Sequence, residues 1–161
     1  HMQAAADGRD IAAAIDSMLV SNGPAAELAL AYNASAGTDI TGFGLLGHLL
    51  EMLDESCAAS LELARVPLLP GAAEQLRDGV RSSMQPANAQ SGAGLEAAAS
   101  VDEDVMQILF DPQTSGGLLL GVAAQRAPVL RDALRNAGYL RAEIIGEVCA
   151  RTESMPRVRL R

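Results

Sequence analysis

The residue best placed for metal chemistry stands in a glycine-rich stretch, residues 37–48, called here the aspartate segment. It reads G-T-D-I-T-G-F-G-L-L-G-H, and Asp39 lies just before an apolar stretch with helical periodicity. A helix N-terminus carries free N–H groups and a partial positive charge that suit phosphate, and a nearby carboxylate can hold a bridging Mg²⁺. A plainer alternative is that Asp39 or Thr41 caps the helix and that the glycines permit a turn.

A second stretch, residues 109–120, is called here the glycine-pair segment and reads L-F-D-P-Q-T-S-G-G-L-L-L. Small polar residues and the Gly116-Gly117 pair lead directly into an apolar strand. Either the glycines let the backbone approach a ligand or a neighbouring domain, or the segment simply connects a helix to a strand. In the second interpretation Asp111-Pro112 ends the helix.

Composition limits the classes of protein and partner. The 161 residues suffice for one domain, and the formal net charge of −8 argues against nucleic acid or an anionic membrane as the main partner. The sequence contains neither an apolar run long enough for a membrane-spanning helix nor a signal-peptide pattern. Cys57 and Cys149 lack C-x-x-C spacing and indicate reduced thiols, so a cytoplasmic location is expected. We interpret His1-Met2 as an expression remnant and residues 3–161 as a single domain cut from a longer protein.

Apolar periodicity and turn residues predict an alternation of helices and strands that is not strictly β-α-β. The fold class is therefore predicted to be α+β, with helices packed on a mixed or antiparallel sheet. Residues 37–42 and 81–100 are predicted as loops, the latter unusually long for a compact domain. The predicted helices are residues 11–20 (capped by Asp10), 25–32, 43–55, 71–79, 102–109 and 128–136, and the predicted strands are residues 59–66, 117–122, 144–148 and 157–160.

Two of these helices have predicted faces that bear on function. In the helix of residues 43–55, the polar face is predicted to hold Gly44, His48, Glu51 and Glu55, so His48 is expected to be solvated or to lie between domains. The opposite, apolar face holds Phe43, Leu46, Leu50 and Leu53. The helix of residues 11–20 is predicted to present Ile11, Ile15, Met18 and Leu19 on one face.

Taken together, the two segments resemble selenophosphate synthetase (selenide, water dikinase). The resemblance rests on T-D-I-T-G-F-G-L-L-G-H-L at residues 38–49 and D-P-Q-T-S-G-G-L-L-L at residues 111–120, in this order and spacing. Weaker matches extend it over residues 11–148. Residues 81–88 resemble one subgroup's version of a segment ending in Asn, and in some of that subgroup a flavin-dependent dehydrogenase-like domain precedes the synthetase.

The resemblance implies a fold and an activity. Such proteins are two-domain ATP-binding enzymes, in a superfamily shared with aminoimidazole ribonucleotide synthetase, that convert selenide, ATP and water to selenophosphate, AMP and phosphate. Their second domain supplies one Mg²⁺-binding aspartate in the T-D-[IV]-T-G-F-G motif, which corresponds to Asp39. Lower-ranked cofactor-binding candidates are Thr38, Thr41, Thr114, Ser115, Gly116 and Gly117, the two glycines through backbone shape.

The departures from the family pattern are equally informative. The glycine-rich start with its reactive Cys and Lys has no counterpart here, and neither have the other two metal-binding aspartates. We therefore expect no catalytic residue in this fragment, no activity alone, and weak or no binding of Mg²⁺ and ATP. The expected partners are its own amino-terminal ATP-binding domain, a second copy in a homodimer of the full-length enzyme, and the substrates selenide and ATP.

Two alternatives are carried forward. One is another ATP-using enzyme of the same superfamily, against which both motifs argue. The other is a non-catalytic docking or dimerisation module. A domain that has lost its neighbour is expected to expose an apolar patch, so self-association alone would not prove a native dimer.

Overall fold

The computed structural model describes residues 6–92 and 95–161, and the expected remnant His1-Met2 lies outside these ranges. Helices pack with two sheets, one of which is mixed, so the predicted α+β class is confirmed. The helices are α1 (Gly8–Met18), α2 (Gly23–Ala31), α3 (Gly44–Met52), α4 (Ala72–Arg77), α5 (Gln85–Ala89), α6 (Glu103–Met106) and α7 (Ala127–Asn136). The strands are β1 (Ala36–Asp39), β2 (Cys57–Leu61), β3 (Leu95–Ala97), β4 (Leu118–Gly121), β5 (Gly146–Ala150) and β6 (Val158–Leu160). Short 3-10 helices cover Leu63–Arg65, Gln90–Gly92 and Gln107–Phe110.

The strands pair across long distances in the sequence. β1 and β4 form a two-stranded antiparallel sheet in which Asp39 lies opposite Leu118. The second sheet has the order β3-β6-β2-β5, with β5 antiparallel to β2 and the other two pairs parallel. The first sheet thus joins the two segments that the sequence singles out.

The core is aliphatic, as expected for a chain with so few aromatic residues, and α3 lies at its centre. One face of α3 buries Leu45, Leu46 and Leu49. These residues pack with residues from the second sheet and from the 3-10 helix before Asp111, including Leu61, Leu109, Phe110, Val158 and Leu160. Burial of this aliphatic surface is the main stabilising contribution to the fold. It holds α3 against Leu109 and Phe110, at the start of the glycine-pair segment.

The predicted faces of α3 are confirmed for Leu46 and Leu53, which are buried, and for Glu51 and Glu55, which are exposed, but they are wrong for three other residues. Phe43, expected on the buried face, is 55% exposed, whereas Gly44 and His48, expected on the polar face, are buried. The cause is local: Gly44 has a φ of +70° and lies against the backbone of residues 109–111. This contact, which a side chain at residue 44 would block, buries Gly44, and His48 lies one turn further along the same buried side of the helix.

Several other predicted elements need correction. The predicted loop of residues 37–42 begins as β1, because β4 supplies hydrogen-bonding partners that sequence periodicity does not show. The predicted loop of residues 81–100 contains α5, a 3-10 turn and β3. The predicted strand of residues 59–66 is β2 shifted towards the N-terminus and followed by a 3-10 helix, and Asp7 rather than Asp10 caps α1 by accepting from the N–H of Arg9. The helices predicted at residues 25–32 and 128–136 agree with α2 and α7 within two residues.

The apolar face predicted for the first helix exists but does not reach the core. No residue of α1 is buried, and Ile15 is 47% and Met18 39% exposed. Leu19, just beyond the helix, is 78% exposed. Helix α1 therefore presents an apolar surface to solvent in the described part of the chain.

The two thiols are free and lie on adjacent strands. Cys57 is opposite Ala150 and Cys149 is opposite Ala58 in the pairing of β2 with β5. Because successive side chains of a strand point to opposite faces, the two sulfur atoms lie on opposite sides of the sheet. Within the described ranges, none of the helices combines the length and apolar character needed to cross a bilayer.

Candidate functional site

The aspartate and glycine-pair segments are in direct contact. Beyond the paired strands, the backbone N of Ile40 donates to the carbonyl oxygen of Gly117 at 2.9 Å. The N of Gln113 donates to the carbonyl oxygen of Thr41 at 3.0 Å, so the chain between β4 and the 3-10 helix folds over the end of β1. The structure therefore brings together the two stretches that sequence reasoning selected.

Glycines at two positions permit this close approach. A Cβ at Gly116 would overlap the carbonyl oxygen of Ile40, and a Cβ at Gly44 would lie 2.7 Å from the carbonyl oxygen of Leu109. By contrast, a Cβ at Gly117 would have no atom within 4 Å, and its φ is not positive. The predicted role in backbone shape thus has a steric basis at Gly116 but none at Gly117.

Asp39 ends β1 with an exposed side chain. Within residues 6–92 and 95–161, its carboxylate has no hydrogen-bonding or ion-pairing partner. It does not cap α3, because the N-cap position is Phe43, which makes no side-chain cap hydrogen bond. Thr41 contributes only its carbonyl oxygen there, 3.1 Å from the N of Gly44. The plainer alternative, a capping role for Asp39 or Thr41, is not what the geometry shows.

The predicted hydroxyl candidates have different surroundings. Thr38 is half-buried, and its hydroxyl donates to the carbonyl oxygen of Asp39 at 3.2 Å. Thr114 and Ser115 are exposed in the turn that precedes β4. Ser115 has a φ of +52°, a left-handed conformation that is uncommon for a residue other than glycine. Thr38 lies within β1, and Thr114 and Ser115 lie in the turn before β4, the strand that pairs with β1.

His48 is buried, which contradicts the solvated alternative predicted for it, while a position between domains stays a prediction. Its Nε2 lies 3.1 Å from the hydroxyl oxygen of Thr41, and its side chain packs at a tilt against Phe43. The Nδ1 is 3.2 Å from a carboxylate oxygen of Glu51, at an angle outside the range of a hydrogen bond. His48 therefore connects α3 to Thr41, within the aspartate segment, rather than facing water.

Two residues of the site were not selected from the sequence. Asp111, interpreted only as the end of a helix, is half-buried, and its burial raises the pKa of the carboxyl above the ordinary range. Asn88, within the predicted loop, is buried, and its side chain contacts both segments. The only sequence signal for Asn88 was the resemblance of residues 81–88 to a family segment that ends in Asn.

Asp39 can supply one carboxylate oxygen as a ligand of a hard cation such as Mg²⁺. Carboxylate oxygen is what Mg²⁺ prefers, and this carboxylate is exposed and unpaired among the described residues. In the part of the chain that the structure describes, no group of three or more His, Cys, Asp or Glu side chains could hold a metal ion. A complete octahedral site at Asp39 would therefore take its other ligands from phosphate oxygens, water or another part of the protein.

Most of the chain matches the model of a known protein family. Residues 22–158 match the model of the AIR synthase related protein, C-terminal domain. This match covers most of the chain, and the chain belongs to that family.

Several curated relatives are also similar to it. The selenide, water dikinase of Bordetella bronchiseptica is 41% identical over 143 residues, which cover 88% of this chain and 40% of the relative. That of Geobacter sp. (strain M21) is 42% identical over 134 residues, covering 81% of this chain and 38% of the relative. That of Carboxydothermus hydrogenoformans is 41% identical over 128 residues, covering 76% of this chain and 36% of the relative. The chain thus spans about two fifths of the length of the curated relatives that it matches.

Proposed function

We propose that residues 3–161 are the carboxy-terminal domain of a cytoplasmic selenide, water dikinase. The parent enzyme makes selenophosphate from selenide, ATP and water, with AMP and phosphate as the other products. The proposal is supported by the names of the relatives, which are selenide, water dikinases, and by the pairing of the two motif segments. The similarity to those relatives favours this activity over other ATP-using enzymes of the same superfamily.

Within that enzyme, Asp39 supplies one oxygen ligand to a Mg²⁺ ion at the ATP phosphates. The observation that supports this assignment is the exposed carboxylate at the end of β1, which has no partner among the described residues and belongs to a backbone paired with the glycine-pair segment. A bound Mg²⁺ supplies charge neutralisation to the phosphates. Because β1 is paired with β4, Asp39 is held in place before any ligand arrives, which lowers the entropic cost of binding.

The start of α3 adds a second favourable feature for phosphate. Phe43 at its N-cap makes no side-chain cap hydrogen bond, and the partial positive charge of the helix N-terminus favours an anion nearby. Thr38, Thr41, Thr114 and Ser115 are proposed as weaker hydrogen-bonding contributors near this end of β1. Gly116 contributes through the close backbone contact that it allows with Ile40.

On its own the chain is proposed to be inactive. A lone carboxylate binds Mg²⁺ poorly, because the ion requires several oxygen ligands in an octahedron and loses its waters reluctantly. The remaining ligands and the nucleotide contacts are assigned to the amino-terminal domain of the parent. Selenide-dependent AMP formation by the purified 161-residue chain would refute this part of the proposal.

A docking or dimerisation module is the second candidate, and one observation favours it. Ile15, Met18, Leu19 and Val20 expose apolar side chains along and just beyond α1. In the dikinase proposal this surface packs against the amino-terminal domain, and the parent is a homodimer. The module alternative keeps the surface but assigns no role to Asp39, so the two candidates differ in what a change at Asp39 does.

Binding of Mg²⁺ and ATP to the full-length parent separates these candidates. We expect Asp39→Asn to weaken the Mg²⁺-dependent binding of ATP, measured by isothermal titration calorimetry, by about tenfold or more. Glu55→Gln is the matched control, since it also removes one exposed carboxylate, beyond the end of α3. Equal affinities for wild type and both variants would favour the module.

A further inference from the structure

Asn88, in α5, connects the two segments through its side chain. The side-chain nitrogen Nδ2 donates to the carbonyl oxygen of Gly42 at 2.8 Å and to that of Phe110 at 3.0 Å. Gly42 belongs to the aspartate segment and Phe110 to the glycine-pair segment. The residue is 8% exposed; its hydrogen bond to Phe110 is buried, and that to Gly42 is partly buried. The side-chain amide of one residue thus bridges the two segments.

The chemistry of these partners fixes the orientation of the amide. Both neighbours are backbone carbonyl oxygens, which only accept, so the NH₂ end must face them. Each of its two hydrogens is directed to a different segment. No other uncharged side chain of the same length presents two donors from one atom, and the carboxylate of aspartate would repel both oxygens.

The two carbonyl groups that Asn88 binds lie close in sequence to Asp39 and to Asp111. Gly42 lies between Asp39 and the first turn of α3, and Phe110 immediately precedes Asp111. Around the same point Gly44 presses on the backbone of residues 109–111, and the N of Gln113 bonds to Thr41. Without the amide, the carbonyls of Gly42 and Phe110 would lose these buried donors, and the two segments could separate locally.

We infer that Asn88 is a positioning residue that holds the Asp39 end of β1 and the start of α3 in the geometry needed for Mg²⁺ and phosphate. The effect of Asn88 on Mg²⁺ rests on the proposed function. Its effect on the positions of the two segments rests only on its hydrogen bonds to Gly42 and Phe110. Residues that orient a metal ligand from behind commonly affect metal affinity by about 10–100-fold when they are changed.

The same helix provides a matched control. Gln85 is 2% exposed, and its Nε2 donates to the carbonyl oxygen of Gln107 at 3.3 Å and to the side-chain oxygen of that residue at 2.8 Å. It is therefore also a buried amide of α5 with two hydrogen bonds. Gln107 lies outside both segments, so removal of the Gln85 amide disturbs α5 without releasing Gly42 or Phe110.

The test uses the full-length parent carrying Asn88→Ala or Gln85→Ala. Selenide-dependent AMP release is measured against Mg²⁺ concentration, and hydrogen exchange is followed by mass spectrometry. For Asn88→Ala we expect the half-saturating Mg²⁺ concentration to rise by about tenfold or more. We also expect peptides covering residues 37–44 and 111–118 to exchange about tenfold faster, while a peptide covering β2 exchanges at the wild-type rate. Gln85→Ala is expected to change neither quantity by more than about twofold.

Wild-type Mg²⁺ dependence and wild-type exchange at residues 37–44 and 111–118 in Asn88→Ala would overturn the inference, as would equal effects of the two alanine variants. If Asn88→Ala fails to fold, Asn88→Ser keeps one donor, and the same readouts are expected to shift in the same direction by a smaller factor. If the wild type releases no AMP, the proposed function fails, and the exchange comparison still decides whether Asn88 holds the segments together.

Discussion

The hydroxyl oxygen of Thr41 lies 3.1 Å from Nε2 of His48, one helical turn inside α3. This contact joins the helix to the loop that follows Asp39. Since His48 is buried, the contact replaces water on both groups. Which of the two is the donor depends on the histidine tautomer, but either arrangement satisfies the pair.

A double-mutant cycle measures this link. We expect Thr41→Val and His48→Ala each to lower the free energy of unfolding by about 1–3 kcal/mol, because each leaves a buried polar partner or a cavity. The two changes are expected to be coupled by about 1 kcal/mol in urea denaturation of the purified protein. Additive effects would contradict the contact.

Gly116 and Gly117 are adjacent in the sequence but differ in the space available for a side chain. Gly116→Ala is expected to destabilise the fold by about 1–3 kcal/mol, because the new methyl group would overlap the carbonyl oxygen of Ile40. Gly117→Ala is expected to stay within about 0.5 kcal/mol of wild type, since its Cβ position is open. Equal melting temperatures for the two variants would show that the close contact at Gly116 is not as described.

Asp111 is expected to cost stability at neutral pH. Its burial raises the pKa of the carboxyl in the folded state, so the stability linked to this group is present below the unfolded pKa and lost as pH rises through the folded one. Asp111→Asn should therefore raise the midpoint of thermal unfolding at neutral pH. The difference from wild type should shrink towards zero as the pH falls below about 4. A gain that is the same at all pH values would contradict a titration effect.

Glu143 is expected to behave in the opposite way. The N–H of Ile144 bonds to its carboxylate, as do Arg65 and Arg135, and together they hold the pKa of this carboxyl below its ordinary value. The linked stability is present above the unfolded pKa and lost as pH falls through the lowered, folded-state pKa. Glu143→Gln should lower the thermal midpoint at neutral pH and match wild type in acid. A variant as stable as wild type at neutral pH would mean that the two arginines contribute nothing there.

Local signals predicted the parts of the fold that local interactions determine. Turn and capping residues located α2 and α7, through Pro24 in the first turn of α2 and Gly138 just beyond α7, and the motif placed Asp39 in the segment before α3. By contrast, β1 forms because β4, about eighty residues later, supplies its hydrogen-bonding partners. No periodicity within residues 37–42 contains that information.

The same limit explains the errors in the site. His48 was assigned to a polar face with Gly44, Glu51 and Glu55, whereas the packing of Gly44 against the backbone of residues 109–111 brings Gly44 and His48 into the interior. Asn88 lies among small and polar residues that carry no apolar period, so its burial is visible only when the segments that it bridges are known. Its donors act on backbone carbonyls, which leave no trace in side-chain patterns.

The central claim is that Asp39 is a metal ligand of a dikinase, and selenide-dependent AMP release by the full-length parent tests it most directly. Wild type, Asp39→Ala and the control Glu55→Ala are compared, with folding checked by circular dichroism. We expect folded Asp39→Ala to lose at least about 100-fold in kcat/KM, while Glu55→Ala retains wild-type turnover. Turnover near the wild-type level in Asp39→Ala, or no selenide-dependent AMP from the wild type, would contradict it.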